Sequence, residues 1–371
     1  MGSDLTISRR KTRGCPARGA LIFCCCLLIL QLALTGCGPK APQKYSDSFT
    51  GSFDTVIQII AYTDSEADFT AWFEQARLRF LELHRLFDIY HTYPDLNNIA
   101  TVNAMAGVAP VPVSPELLDL IRFSLETDKL SPGTINIALG PVLAIWHDYR
   151  TQALEDLEAA IPDPSELEAA ARLSDPDKVI VDDAAGTLYL QDAGMRLDVG
   201  AVAKGFATEL VARELIDAGM VSGIISAGGS NVRLIGKPLD DRDTWQIGLQ
   251  NPDGNPLIPD DPSLDVILAN DQSIVTSGDY QRYYEYEGQV YHHLIDPRTL
   301  QPARHYRAVT VMTPDSALAD YLSTTLFLLP YEESRRLADS LPDCEVLWVF
   351  PDQRMETTEG MLPYLKSRQS D

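Results

Sequence analysis

Basic charge is scarce in this chain of 371 residues: 30 Lys and Arg stand against 53 Asp and Glu, a formal net charge of −23. A nucleic-acid partner is excluded on that ground, because phosphate backbones select basic surfaces. The acid is spread along the chain, which reads as a solvated surface. Cysteine is nearly absent from the body of the chain. Of six cysteines, Cys15, Cys24, Cys25, Cys26 and Cys37 crowd the N-terminus and only Cys344 stands further on, so no disulfide framework exists. Cys344 approaches a predicted strand and reads as an inert core thiol. Histidine is also sparse, and without a further His or Cys cluster the sequence gives no support for a tetrahedral zinc site. Internal repeats and low-complexity blocks are missing. The one long apolar run, Ala20 to Leu34, falls short of the roughly 20 residues that span a bilayer.

That run follows Arg9, Arg10, Lys11, Arg13 and Arg18 and ends in Leu34-Thr35-Gly36-Cys37. A basic stretch, a short apolar stretch and small residues before a cleavage point describe a secretory signal. Leu-Thr-Gly-Cys resembles a bacterial lipobox. The expectation is a signal peptide over 1–36, a lipidated Cys37 with a polar tether over 37–50, and one domain over 51–371. The tether reading rests on Gly38 to Phe49, polar and broken by Pro39 and Pro42.

Phe53 to Tyr62 reads as a buried strand. Asp64 to Asp88 reads as a helix, because Phe69, Trp72, Phe73, Ala76, Phe80, Leu83 and Phe87 recur at helical spacing. Ile89 to Val111 reads as an Asn-rich loop, and Ser114-Pro115 opens the next helix. Thr134 to Trp146 is mostly apolar. Thr151 to Asp177 is an acidic, helical excursion with a capping box from Ser165 to Glu168. Strands follow at Lys178–Val181 and Thr187–Leu190. A strand ending at Asp198 then turns at Gly200 into a helix that buries Val202, Phe206, Leu210 and Leu215. Gly223 to Ile235 is strand, small-residue turn and strand; Ser273–Val275 is a strand running into a Thr276-Ser277-Gly278 turn. An aromatic hairpin, a helix bearing Asp320, a helix near Glu332–Leu341 and strands from Glu345 complete the chain. Interleaved helices and strands predict an α+β or α/β layered fold.

Four features carry chemistry. At Asp198 to Gly205 a helix N-terminus with small residues suits phosphate. Lys204 in that first turn costs roughly 0.3–1 kcal/mol against the helix dipole unless an anion or Asp198 is near. A Gly-started helix with a surface lysine explains the same residues. Gly228-Gly229 serves a hairpin turn equally well with or without a ligand. His292 and His293 on a strand face opposite sides of a sheet, so one can meet a cleft and the other solvent, though strand histidines are often structural. Asp320 and Thr324 lie four apart on one helix face and suit a hard cation such as Mg²⁺; an N-terminal Asp and a back-bonded Thr fit the spacing too.

Six blocks in order, LDVGAVAKGFA, SAGGSNVRLIGKP, W-x-I-G-L-Q-N-P, VTSGDYQRYYE, YHHLIDPRT and ADYLSTTLF, resemble the ApbE family of FAD:protein FMN transferases. With the FDTV stretch and the lipobox, the resemblance spans nearly all the chain beyond the signal. It implies an α+β fold and Mg²⁺-dependent transfer of FMN from FAD to a Thr or Ser hydroxyl. The acceptors it implies are subunits of Na⁺-translocating NADH:quinone reductase or Rnf complexes outside the cytoplasmic membrane, with AMP released. It places FAD against Phe53, Tyr90, Thr134, Ile135, Asn136, Asp198, Lys204 and Ile295. The metal falls to Asp320, Thr324 and the backbone oxygen of Ala201, and proton handling to His293. Many family members carry Met at position 53, Phe-Asp at 135–136 and Gly at 300, where this chain has Phe53, Ile135-Asn136 and Leu300. An FAD pyrophosphatase, or a flavin-binding lipoprotein without turnover, would share most of these features.

Overall fold

The computed structural model describes residues 41–155, 159–254 and 263–369, all but the first of them within one compact unit, Pro42–Asp371. The predicted signal peptide, Cys37 and the first part of the tether lie outside the described residues. Eight strands form one antiparallel sheet whose spatial order follows chain order: β1 (Gln43–Ser52), β2 (Thr55–Thr63), β3 (Gly223–Ala227), β4 (Asn231–Ile235), β5 (Ser273–Gly278), β6 (Ala308–Thr313), β7 (Glu345–Val349) and β8 (Met355–Thr357). It is a meander with insertions, and the insertions build the site. The fold is α+β, with helices segregated from an antiparallel sheet.

The central strands read as continuous apolar runs because both faces are covered. Ile225, Val275, Val309, Val311, Val346 and Trp348 face the main core. Their neighbours Ile224, Ile274, Ala308, Met312, Leu347 and Val349 pack on the opposite face with Trp245, Ile267 and Met361. The period of two along a strand produces this division.

Helices α1 (Glu66–Phe87), α2 (Ile99–Ala104) and α3 (Pro115–Thr127) line the main core, as do α6 (Ala203–Asp217) and α7 (Ser316–Leu328), with α4 (Gly140–Leu154) and α5 (Pro164–Ala171) between them in the chain. A last helix, α8 (Tyr331–Ser340), follows α7. The aromatic stripe of α1 is buried as its spacing predicts, and Ser65 caps it by accepting from Asp68 N. Ser114 caps α3 with Pro115 at its first position, also as predicted. Among the described residues no helix is long and apolar enough to cross a membrane.

Several expectations need correction. From Gln43 the chain is β1 rather than tether. Tyr45 and Phe49 are four apart on one strand face; Tyr45 stacks on Phe69 of α1 and Phe49 meets Phe73 edge-on, a signal too sparse to stand out in a polar stretch. Phe53 and Asp54 form the β1–β2 turn, and β2 begins at Thr55. The Asn-rich loop contains α2, whose capping box uses buried Asn98. Asn is as good at a helix cap as in a turn, which is why composition misled. Helix α4 runs on through Leu154, and α5 is capped by Asp163 rather than by a Ser165–Glu168 box. The strand expected before Asp198 reduces to a single bridge between Arg196 and Leu139. Helix α6 begins at Ala203 instead of Gly200. Thr276-Ser277-Gly278 continues β5 and pairs with β6. Gly228 and Gly229, both at φ near +70°, make the predicted β3–β4 turn.

Candidate active site

All twelve residues singled out from the sequence within the domain, Phe53, Tyr90, Thr134, Ile135, Asn136, Asp198, Ala201, Lys204, His293, Ile295, Asp320 and Thr324, line one cavity. They arrive on several insertions and strand ends of the meander, and local structure fixes each in turn.

The acidic corner forms where α6 meets α7. Gly205 N donates to Asp320 Oδ2 at 2.7 Å, and Lys204 Nζ stands 3.7 Å from Asp320 Oδ1 while donating to Ser230 Oγ at 3.1 Å. Lys204 therefore answers to Asp320, not to Asp198 as its place in the sequence suggested. Burial pushes the Asp320 carboxyl above its usual range, and the Lys204 ammonium pulls the other way. Thr324 Oγ1 lies 3.1 Å from Ser277 Oγ, which also meets Ser323 Oγ at 2.9 Å, so β5 braces the face of α7.

A Cβ on Gly205 would meet Asp320 Cβ and Ser316 O at 2.4 Å, so only glycine lets α6 come this close. Asp320 brings a carboxylate and Thr324 a hydroxyl, both hard oxygens, and Ala201 lines the same cavity. That set fits Mg²⁺, which takes few protein ligands and keeps waters.

The Asp198 carboxylate accepts from Gly200 N at 2.8 Å, closing the turn that leads into α6. Burial pushes this carboxyl up as well. Tyr90 stands at the mouth because buried Asp88 ties down its loop: Asp88 accepts from Tyr90 N at 2.7 Å, from His91 N at 3.2 Å and from the Tyr93 hydroxyl at 2.9 Å. Asn136 lines the cavity while its side chain is tied to the wall. Its amide donates to Ser174 O at 2.6 Å and accepts from Ala138 N at 2.8 Å, so it holds the wall in shape. Thr134 shares a hydrogen bond of 2.8 Å with Ser131.

The two histidines divide their roles. His292 does not face solvent: it is buried, with Nε2 2.6 Å from Ala303 O and Nδ1 accepting from Leu294 N at 3.2 Å. Those contacts require the neutral Nε2–H tautomer. Burial accordingly lowers its pKa to about 4. His293 turns to the cavity, and its buried Nδ1 has no hydrogen-bond partner among the described residues. Burial, and then the Arg282 guanidinium, lower its pKa to about 3. Stacking of Trp146 on Tyr291, with ring centres 5.9 Å apart, fixes the hairpin that carries this pair against α4.

Sequence reasoning missed Arg150, Arg282 and His147, which line the same cavity. Arg150 Nη2 donates to His147 Nδ1 at 2.8 Å. Arg150 and His147 belong to an Ile-Trp-His-Asp-Tyr-Arg run at the end of the apolar Thr134–Trp146 stretch and carry no motif of their own. Arg282 sits inside one of the six blocks but had no pattern of its own.

The ApbE family model matches residues 53–348. The FAD:protein FMN transferase of Treponema pallidum is 34% identical over 281 residues, 72% of this chain and 75% of its own length. That of Klebsiella pneumoniae is 31% identical over 279 residues, 71% of this chain and 81% of its own. The crystal structure of the ApbE protein of Thermotoga maritima superposes with a TM-score of 0.76 at 25% identity, over 87% of this chain and 99% of that one.

Proposed function

The chain belongs to the ApbE family, and from that premise we propose that it is an FAD:protein FMN transferase acting on a protein Thr or Ser hydroxyl. The observation that carries this reading is the pairing, in one cavity, of an unpartnered His293 Nδ1 with the Asp320–Thr324 face. Simple flavin binding has no use for a buried free imidazole nitrogen beside a hard-oxygen donor set.

The acceptor hydroxyl oxygen attacks the phosphorus on the FMN side of the pyrophosphate and forms the new phosphoester. The bond from that phosphorus to the bridging oxygen breaks, and AMP leaves with that oxygen. The hydroxyl proton passes to His293, which is neutral and has a lone pair free. Lys204 meets the phosphate oxygens, and the cavity walls exclude competing water; the amides of Gly200, Ala203 and Gly205 are already taken by Asp198, Val199 and Asp320. Mg²⁺ held by Asp320, Thr324 and the Ala201 carbonyl would neutralise charge on the pyrophosphate.

The natural acceptor is read as a subunit of a Na⁺-translocating NADH:quinone reductase or Rnf-type pump. The enzyme is read as lipid-anchored through Cys37 on the outer face of the cytoplasmic membrane. The signal-like N-terminus supports the location; lipid labelling of the wild-type chain but not of Cys37→Ala tests it. The catalytic reading is tested with the chain from Gly38 onward, FAD, Mg²⁺ and a redox-subunit domain bearing a Thr/Ser acceptor. Covalent flavin fluorescence on the acceptor after denaturing electrophoresis, matched by AMP, is the expected result. AMP and free FMN without labelling would make the chain a pyrophosphatase instead. Labelling by Asp320→Ala at the wild-type rate would remove the metal assignment.

A further inference from the structure

Arg150 and Arg282 are an unusual pair in so acidic a chain. Three other guanidiniums drawn into this protein take carboxylates: Arg79 meets Glu82, Glu116 and Glu214, Arg233 meets Glu209, and Arg307 meets Asp253 and Asp279. Among the described residues Arg150 and Arg282 have no such partner. Arg150 is half-buried with only His147 Nδ1 on its fork, and each guanidinium works against the charge of the other. Both line the cavity, and both also line a groove that opens from it beside Tyr90 and His147.

Two like charges held together without a counterion cost free energy that a bound anion recovers. An arginine fork matches the paired oxygens of a phosphate better than a lysine does. The position narrows the choice of anion, because both arginines line the cavity that His293 faces. On the proposed reading of the site, on which this inference rests, His293 meets the acceptor hydroxyl beside the phosphorus that it attacks. We propose that Arg150 and Arg282 form a clamp for the transferred phosphoryl group, on the flavin-mononucleotide side of the dinucleotide and separate from the Lys204–Asp320 corner. A phosphate seated there would also offset the two positive charges beside His293 and restore its basicity when substrate is present.

The test compares FMN with riboflavin, which differ by the phosphate alone, by quenching of flavin fluorescence on the wild-type domain, Arg282→Gln, Arg150→Gln and Arg150→Lys. Arg282 is exposed, so its substitution leaves the fold alone and guards against a folding artefact at Arg150. The wild type is expected to prefer FMN. Each Gln variant should lose about tenfold or more of its FMN affinity, the scale of one charge-assisted hydrogen bond, with riboflavin unchanged. Arg150→Lys should fall between. A wild type with no preference for FMN, or Gln variants that keep the preference, would overturn the clamp. So would equal losses for both ligands. Acceptor labelling is scored in parallel, so that the two readings fail separately. Labelling with the FMN preference intact in both Gln variants removes the clamp alone. The preference with no labelling removes the transferase and leaves the clamp.

Discussion

Gly205 N and Asp320 Oδ2, 115 positions apart in the chain, meet at 2.7 Å and lock the first turn of α6 against α7. The contact fixes the carboxylate that faces the cavity, and it depends on the missing side chain. Gly205→Ala puts a Cβ 2.4 Å from Asp320 Cβ and Ser316 O, and backbone cannot yield as a flexible side chain does. The expected loss of stability is about 1–3 kcal/mol, the usual cost of overpacking, together with loss of Mg²⁺-dependent turnover. Thermal unfolding checks the first part; an unchanged melting temperature would contradict the packing described.

His292 makes stability depend on pH. Its folded-state pKa of about 4 lies below the ordinary 6.5, so between those values the unfolded chain binds a proton that the native protein refuses. Stability is therefore complete above pH 6.5 and declines as the pH falls towards 4, by about 3 kcal/mol for this one group. Urea unfolding from pH 8 to pH 4.5 should show that slope. His292→Leu should lower stability at pH 8, where its bonds to Ala303 and Leu294 are lost, and flatten the slope; a slope unchanged in the variant assigns the effect elsewhere.

His293→Ala should lower FMN transfer by about 10²- to 10⁴-fold, the range for loss of a general base, while thermal stability holds or rises. Because burial and Arg282 depress this imidazole, the acidic limb of kcat/KM for FAD should lie below pH 6.5. A limb at or above 6.5 that disappears in the Ala variant would contradict the environment described for His293.

The β1–β2 turn stores strain. Phe53 and Asp54 both sit in the left-handed region, at φ 52° and 51°, where side chains crowd the backbone. Asp54 is exposed, so Asp54→Gly should raise stability by about 1 kcal/mol. A lower denaturation midpoint in that variant would mean that the Asp54 carboxylate contributes more than its backbone costs.

The sequence by itself determined what is local or repeated along the chain. The α1 stripe, the Ser114-Pro115 cap, the glycine turn at 228–229 and the apolar strands follow from spacing and from backbone freedom. Phe53, Asp198, Ala201, Lys204, His293, Ile295, Asp320 and Thr324 were legible because they sit in short blocks, whereas Tyr90, Thr134, Ile135 and Asn136 followed from the family resemblance alone; all twelve line one cavity. What tertiary structure decided is which groups face one another across long separations. It paired Lys204 with Asp320, turned His292 into the wall and His293 into the cavity, and brought Arg150 beside Arg282. It also drew Gln43–Ser52 into the sheet through Tyr45 and Phe49. Strand alternation sets His292 and His293 on opposite sides and Tyr45 and Phe49 on one face, but which surface each meets is not written in the local spacing. Each depends on which buried surface is left to cover once the rest of the core has closed.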